Sequence, residues 1–350
     1  MSSSTRDLST NPVRVASVGL GRWGETMAEI LAKTPQLALT TCFTRNAEKR
    51  AAFAKKFNCD QEQSYEAVLA RKDVEGIIIT APNNKHEELT VAAARAGKHV
   101  FVDKPIATTI EHARSMIAAC KTAGVKLAIG ASSRRLRGHR VVKKLIDEGV
   151  LGNMAMAEAN YSNDRGFYYT PENWQWYKEG SPGGPLLQVA IHQLDNLFYF
   201  FGPIKRVSAE FKKIATKSEI PDVCVLWLEF ERGLLGTLGT SFISPGSGIT
   251  GHAYFINAYG DQANIYHDRF KGTEIWRRGA NKVERVEYEE FKGFDYLGEE
   301  LRDFAEAIGY DRPPEVDGEA GTHVLAVIRA AMRSSELKRP VEISEILNAK

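Results

Sequence analysis

The apolar, β-branched stretch Val13–Val18 runs directly into Gly19-Leu20-Gly21-Arg22-Trp23-Gly24, and a helical pattern through Met27, Ile30 and Leu31 follows. A strand that ends in G-x-G-x-x-G and opens a helix leaves few folds available. The first glycine permits a tight turn, the second lets a pyrophosphate approach the backbone, and the third lets helix and strand pack closely. The helix N-terminus then aims its unsatisfied N–H groups at the phosphates. The motif predicts a dinucleotide-binding Rossmann domain with Gly19, Leu20, Gly21, Arg22, Trp23 and Gly24 at the cofactor.

The alternation continues downstream. Leu37–Phe43, Gly76–Thr80, His99–Val102 and Lys126–Ile129 read as strands, and Ala47–Phe57, Lys85–Ala96 and Ile110–Ala123 as helices. Apolar strands alternating with amphipathic helices imply a parallel sheet covered on both faces, whose ligands bind beyond the carboxyl ends of the strands. Three suggestive stretches fall at those ends: Thr44-Arg45, Thr80-Ala81-Pro82-Asn83 and Asp103-Lys104-Pro105. A carboxylate after the second strand would suit the ribose hydroxyls of NAD, and an arginine would suit the 2′-phosphate of NADP. Thr44-Arg45 has no carboxylate before Glu48, which leans toward NADP(H), although Arg45 also reads as a solvated charge opening a helix. A lysine such as Lys104, at the mouth of such a sheet, serves acid–base work near neutrality only if desolvation or nearby positive charge lowers its pKa from about 10.4. On its own, a lysine after a strand is more often a surface residue.

With 350 residues the chain is long for one core, and two domains are expected. After Gly130 the periodicity changes. Helices Val141–Glu148 and Leu186–Phe201 mix with strands Met154–Tyr161, Ile204–Phe211, Val223–Phe230, Leu234–Phe242 and Tyr254–Ala258. The expected fold class is α/β: an N-terminal Rossmann domain with a parallel sheet, and a C-terminal α+β domain with a large, mostly antiparallel open sheet. The expected boundaries are a disordered lead-in over 1–11, the dinucleotide domain over 12–133, and a substrate-binding and oligomerisation domain over 134–350. Lysine plus arginine (46) nearly balance aspartate plus glutamate (44), so neither a nucleic acid nor a membrane surface is the expected partner. No apolar run approaches the roughly 20 residues of a membrane span. Cys42, Cys59, Cys120 and Cys224 are scattered without metal or disulfide spacing, which suggests free thiols in the cytoplasm and no metal.

At these residues the chain resembles the Gfo/Idh/MocA oxidoreductases, the family of glucose-fructose oxidoreductase and inositol dehydrogenase. Thr80-Ala81-Pro82-Asn83-Asn84-Lys85-His86 is similar to its T-x-P-N-x-x-H segment, and Gly97-Lys98-His99-Val100-Phe101-Val102-Asp103-Lys104-Pro105 to its G-K-H-V-x-x-E-K-P segment. Gly183 to Asp195 resembles its G-G-G-x-L-x-D-x-G-x-H-x-x-D helix, and Phe304, Pro313-Pro314, Asp317-Gly318 and Ser334 its closing elements. The resemblance implies that Lys104 and His192 are catalytic. It also places Thr80, Pro82, Asn83, His86, Asp103 and Lys104 on the cofactor.

Two departures stand out. Asp103 replaces the family's glutamate, and Gln188 replaces an aspartate that works with the histidine four residues on. On a helix, Gln188 would face the same way as His192 and hydrogen-bond a substrate hydroxyl without accepting a proton. Asp195, three residues after His192, could orient the imidazole or touch substrate. Phe167, Tyr168, Tyr169, Trp174, Trp176 and Tyr177 crowd the approach to Gly183, a density suited to sugar faces but equally to core packing. Tyr161 and Trp176 are candidate substrate contacts, as is Arg135 from the basic run Arg134–Arg140, whose default reading is solvated helix charge.

The function expected is hydride transfer between NAD(P) and a secondary alcohol of a sugar, cyclitol or related polyol, by a homodimer or homotetramer. Two other readings stay open: elimination or hydrolysis of a glycoside through a transient keto sugar with recycled cofactor, and a non-catalytic dinucleotide-binding regulator.

Overall fold

The computed structural model describes residues 6–245 and 253–349. The chain divides into two compact units, one of residues 1–132 and 291–322, the other of residues 133–290 and 323–350. The expected break near 133 is close, but residues 291–322, expected in the second domain, return to the first.

In the first unit the order is β1 (Val13–Val18), α1 (Arg22–Leu31), β2 (Leu37–Phe43), α2 (Ala47–Phe57), β3 (Asp60–Gln61), α3 (Tyr65–Ala70) and β4 (Gly76–Ile79). There follow α4 (His86–Arg95), β5 (His99–Asp103), α5 (Ile110–Ala123) and β6 (Leu127–Gly130). The six strands form one parallel sheet in the order β3-β2-β1-β4-β5-β6. This is the doubly wound arrangement, in which the chain reverses its direction of travel between β1 and β4. β4 and β6 are buried along their whole length, as a sheet covered on both faces requires. The helices are delimited by local chemistry. Asn46, Ser64 and Thr109 cap α2, α3 and α5 by accepting from backbone N–H groups, and Asn58 and Gly124 end α2 and α5 in the left-handed region.

The start of the chain is more ordered than expected. Arg6 pairs with Glu75 at 2.6 Å, and buried Leu8 lies where a Cβ on Gly309 would sit 2.9 Å from its Cδ2. The lead-in expectation therefore fails for residues 6–11, while residues 1–5 lie outside the described residues. The return segment carries a helix whose Phe304 packs edge-on to Phe101 at 5.9 Å. A Cβ on Gly76 would come within 3.2 Å of the Phe304 ring, so β4 has glycine where this helix closes on it.

The second unit contains α6 (Arg137–Asp147), β7 (Met154–Ser162), α7 (Ile191–Phe201), β8 (Ile204–Lys212), β9 (Val223–Phe230) and β10 (Leu235–Ser241). β11 (Ala253–Gly260), β12 (Ala263–Asp268), β13 (Gly272–Arg277) and β14 (Glu284–Val286) complete the run. The first unit's returning helix is α8 (Leu297–Gly309); α9 (Gly318–Leu337), β15 (Val341–Glu342) and α10 (Ile343–Leu347) end the chain. Nine strands form one sheet in the order β14-β13-β12-β11-β7-β10-β9-β8-β15, antiparallel except where β10 runs parallel to β7. Burial alternates along β9 and β10, so one face is core and the other, with Val225, Trp227, Leu235 and Met156, is open.

The core of this unit contains neutral histidines. His139 donates from Nδ1 to the Ser133 carbonyl at 2.7 Å, and its ring lies 4.8 Å from that of His267. His323 Nε2 accepts from the Ile204 N–H at 3.1 Å. Burial lowers His139 and His323 to about 4 and holds His267 well below its usual value. An unfolded chain takes these protons near pH 6.5 and the fold refuses them, so stability is complete above 6.5 and is lost as the pH falls toward 4. Each of His139 and His323 then costs up to about 3 kcal/mol at the acid end. Urea midpoints should be level from pH 8 to 7 and decline steadily below 6.5; an undiminished midpoint at pH 5 would contradict this account.

Candidate active site

The chain leaves β1 at the point where strand order reverses, between β2 and β4. Gly19 adopts φ +94, and a Cβ there would stand 2.5 Å from the Ala81 nitrogen; a Cβ on Gly24 would stand 2.2 Å from the Gly19 carbonyl oxygen. Both glycines are required by the protein's own packing. Gly21 is different, because a Cβ on it would meet nothing within 4 Å. Its bare backbone faces space that none of the described residues fills. α1 also begins without a side-chain cap, unlike α2, α3 and α5, so its N-cap residue offers its first N–H groups no side-chain acceptor. An open backbone before an uncapped helix fits the pyrophosphate of a dinucleotide. Within the motif, the Leu20 side chain is core, packed with Ala28, Cys42, Phe53 and Ala54, and Arg22 is exposed. The Trp23 ring stands edge-on to Phe294 at 5.9 Å.

At the end of β2, Thr44 is half-buried and Arg45 exposed. Sequence reasoning missed Arg50, which is buried and donates to the Thr44 carbonyl at 2.8 Å and to Gln63 Oε1 at 2.7 Å. Neither contact is to a carboxylate, so its positive charge is felt at this strand end. The available signal was a second arginine on the first turns of α2, overshadowed by Arg45.

At the end of β4, the Thr80 hydroxyl donates to the Gly19 carbonyl at 2.6 Å, binding the glycine loop itself. Pro82 is exposed and Asn83 half-buried, opening a 3-10 turn that leads into α4. His86, expected at the cofactor, is 1 % exposed, with Nδ1 2.9 Å from the Pro105 carbonyl oxygen and Nε2 2.9 Å from that of Ala81. Both ring nitrogens are occupied by backbone, which corrects the expectation of a cofactor contact. Asp103 closes β5, and burial pushes its carboxyl above the usual range against the opposing charges of Lys104 and His86. Lys104 follows, half-buried, with a cis peptide bond to Pro105.

The second unit holds the remaining candidates. Gly183 and Gly184 take φ +82 and +52, and a Cβ on Gly184 would lie 2.2 Å from the Pro221 carbonyl oxygen. From this tight start the chain enters a π-helical turn, Leu186–Ala190, before α7. The single α-helix expected over Leu186–Phe201 is therefore broken, and the i, i+4 argument for Gln188 and His192 lapses. Such turns widen a helix locally and recur at functional sites. Gln188 Oε1 accepts from the Tyr169 hydroxyl at 2.7 Å while its Nε2 donates to Ser181 Oγ. Neither partner was foreseen. His192 lies half-buried in the first turn of α7.

Asp195 needs correction. Its carboxylate is gripped by Arg134, from Nε at 2.9 Å and from a terminal nitrogen, with both side chains 5 % exposed. The expected companion of His192 is thus one half of a buried ion pair with Arg134. The basic run is corrected with it, since Arg134, Arg135 and His139 are buried rather than solvated. Arg135 ends a short 3-10 turn. Tyr161 is half-buried with its ring 4.4 Å from that of Tyr254, and Trp176 is half-buried on a 3-10 turn beside exposed Trp174 and Tyr177. Among the described residues no group of three His, Cys, Asp or Glu is placed to hold a metal ion, and no helix is long and apolar enough to cross a membrane.

Comparison with known proteins agrees with this geometry. The model of an oxidoreductase family's NAD-binding Rossmann fold matches residues 13–131, and that of its C-terminal alpha/beta domain matches residues 143–343. Myo-inositol 2-dehydrogenase of Thermotoga maritima is 26% identical over 96% of this chain and 100% of its own. A scyllo-inositol 2-dehydrogenase (NADP(+)) of Bacillus subtilis is 29% identical over 77% of this chain and 78% of its own. A solved oxidoreductase from Desulfitobacterium hafniense superposes with a TM-score of 0.90 at 38% identity, covering 97% of this chain and 99% of that one. With both family models matched in sequence order over most of its length, the chain belongs to the Gfo/Idh/MocA family of oxidoreductases.

Proposed function

We propose that this protein is an NAD(P)-dependent dehydrogenase that transfers a hydride between the nicotinamide and a secondary alcohol of a sugar, cyclitol or related polyol. The observation that carries the reading is the position of Lys104, half-buried at the carboxyl end of β5, on the sheet edge where Gly21 leaves its backbone open. The inositol dehydrogenases among its relatives support the substrate class.

When bound, the nicotinamide supplies the two-electron acceptor or donor. Lys104 Nζ takes the hydroxyl proton as the carbon-bound hydrogen departs as hydride, leaving a carbonyl, and returns the proton in the reverse direction. His192 holds the substrate hydroxyl and passes the proton on. Asp195 is held by Arg134. Gln188, held by Tyr169 and Ser181, offers hydrogen bonds and no basic site, and Tyr161, Trp176 and Arg135 are the further candidates for the polyol. Lys104→Met should keep dinucleotide affinity within about twofold and lower kcat by about 1000-fold. A fully active Lys104→Met enzyme would sink the assignment.

NADP(H) is the preferred cofactor in this reading. Arg45 is exposed at the end of β2, buried Arg50 adds positive charge, and no carboxylate stands before Glu48 to meet ribose hydroxyls. Side-by-side assays should give a higher kcat/KM with NADP than with NAD, and Arg45→Ala should narrow the ratio about tenfold. A wild-type preference for NAD would reject this part.

The open face of the nine-stranded sheet suits a second copy of this chain. Val225 and Trp227 on β9, Leu235 on β10, Met156 on β7 and Trp276 on β13 are exposed on one sheet, an apolar patch that monomers seldom leave bare. Sedimentation at micromolar concentration should show a dimer or tetramer, with Trp227→Glu moving it toward monomer. A monomeric wild type would end the proposal.

A further inference from the structure

Three strands of the first unit, β1, β4 and β5, end side by side, and two side chains lace their exits together. Thr80, just past β4, donates to the carbonyl of Gly19 at the exit of β1. His86, the first residue of α4, bridges the Ala81 carbonyl after β4 and the Pro105 carbonyl after β5, each at 2.9 Å. Ala81 is also the residue whose nitrogen a Cβ on Gly19 would strike. An unbroken line of contacts therefore runs from the first glycine of the loop, through Thr80-Ala81 and the imidazole, to the residue bonded to Lys104.

The ring has no edge left for a ligand, and the side chain is buried to 1 % exposure. A neutral imidazole has one N–H and satisfies one of the two carbonyls, whereas an imidazolium satisfies both. Burial holds its pKa below the usual value, although the two carbonyls and the neighbouring Asp103 carboxylate favour the charged form. The neutral ring donates to one loop and packs against the other, and the imidazolium donates to both, a bridge that no aliphatic side chain of similar size reproduces.

We propose that His86 is a positioning residue that fixes Lys104 at a set distance from the glycine loop, so that the proton acceptor and the dinucleotide-binding backbone move as one piece. The proposal rests on the reading of Lys104 as proton acceptor given above. Displacing a reacting group by about 1 Å costs roughly 100-fold in rate, so a brace of this kind would show in kcat before it showed in binding.

The test compares wild type with His86→Ala and with His86→Asn, the second keeping one donor should the alanine variant fold poorly. In folded variant, the dinucleotide Kd, read from tryptophan quenching, should stay within about threefold while kcat falls about 100-fold for His86→Ala and less for His86→Asn. Added imidazole should restore much of the His86→Ala turnover; 1-methylimidazole, with one ring nitrogen blocked, should not. Independently of turnover, the rate at which an N-hydroxysuccinimide ester acylates Lys104, read by peptide mass spectrometry against exposed Lys217, should change at least about threefold in His86→Ala. Unchanged Lys104 acylation with kcat within about twofold in a folded variant overturns the proposal. So does a Kd that rises in step with the loss of kcat, which would return His86 to the cofactor. A wild type that turns over no polyol would fail the functional reading alone, and the acylation comparison would still decide whether His86 holds Lys104.

Discussion

No atom larger than hydrogen can project from Gly19 or Gly24, and much of the first unit depends on that restriction. The two glycines let α1 start almost on top of β1 and let the Thr80-Ala81 backbone close against the same turn. That contact brings the β4 exit up to the glycine loop, the Thr80 hydroxyl secures it, and α1 is left with an uncapped N-terminus over open backbone at Gly21. Excluded volume thus does the first part of the work and hydrogen bonding the second. The anion-accepting mouth is the space left over once both are satisfied.

Elements that announce themselves locally were legible in the sequence. β2, α2, α5 and β9 fall where the apolar runs and caps put them, because Asn46, Thr109 and Gly124 act within their own turns and need no distant partner. The hairpins β12, β13 and β14 were not, since Trp276, apolar yet exposed, follows buried Ile275 and blurs the polar–apolar alternation of β13. The π-helical turn was hidden for another reason. It begins just after Gly184 closes on the Pro221 carbonyl, an approach between residues far apart in sequence.

The candidate site shows the same division. Motif order pointed to Lys104, His86, Gln188 and Asp195 as chemistry-bearing positions, but their contacts depend on partners that no spacing reveals. Asp195 and Arg134 are 61 residues apart, and a run of arginines reads as solvated until a buried carboxylate is found for one of them. The family resemblance assigns His86 to the cofactor. Whether a histidine at such an end faces ligand or backbone is decided by the neighbouring loop, here the one carrying Pro105.

The return of residues 291–322 to the first unit bears on how the chain is made. Phe304, which fills the hollow beside Gly76, is added to the growing polypeptide more than 200 residues after that glycine. A nascent first unit leaving the ribosome has its parallel strands but lacks α8, so part of its apolar surface waits in water while eight of the nine strands of the second sheet are synthesised. The first unit cannot close until its last segment emerges, and the interval exposes β4's flank to chaperones or to the wrong partner.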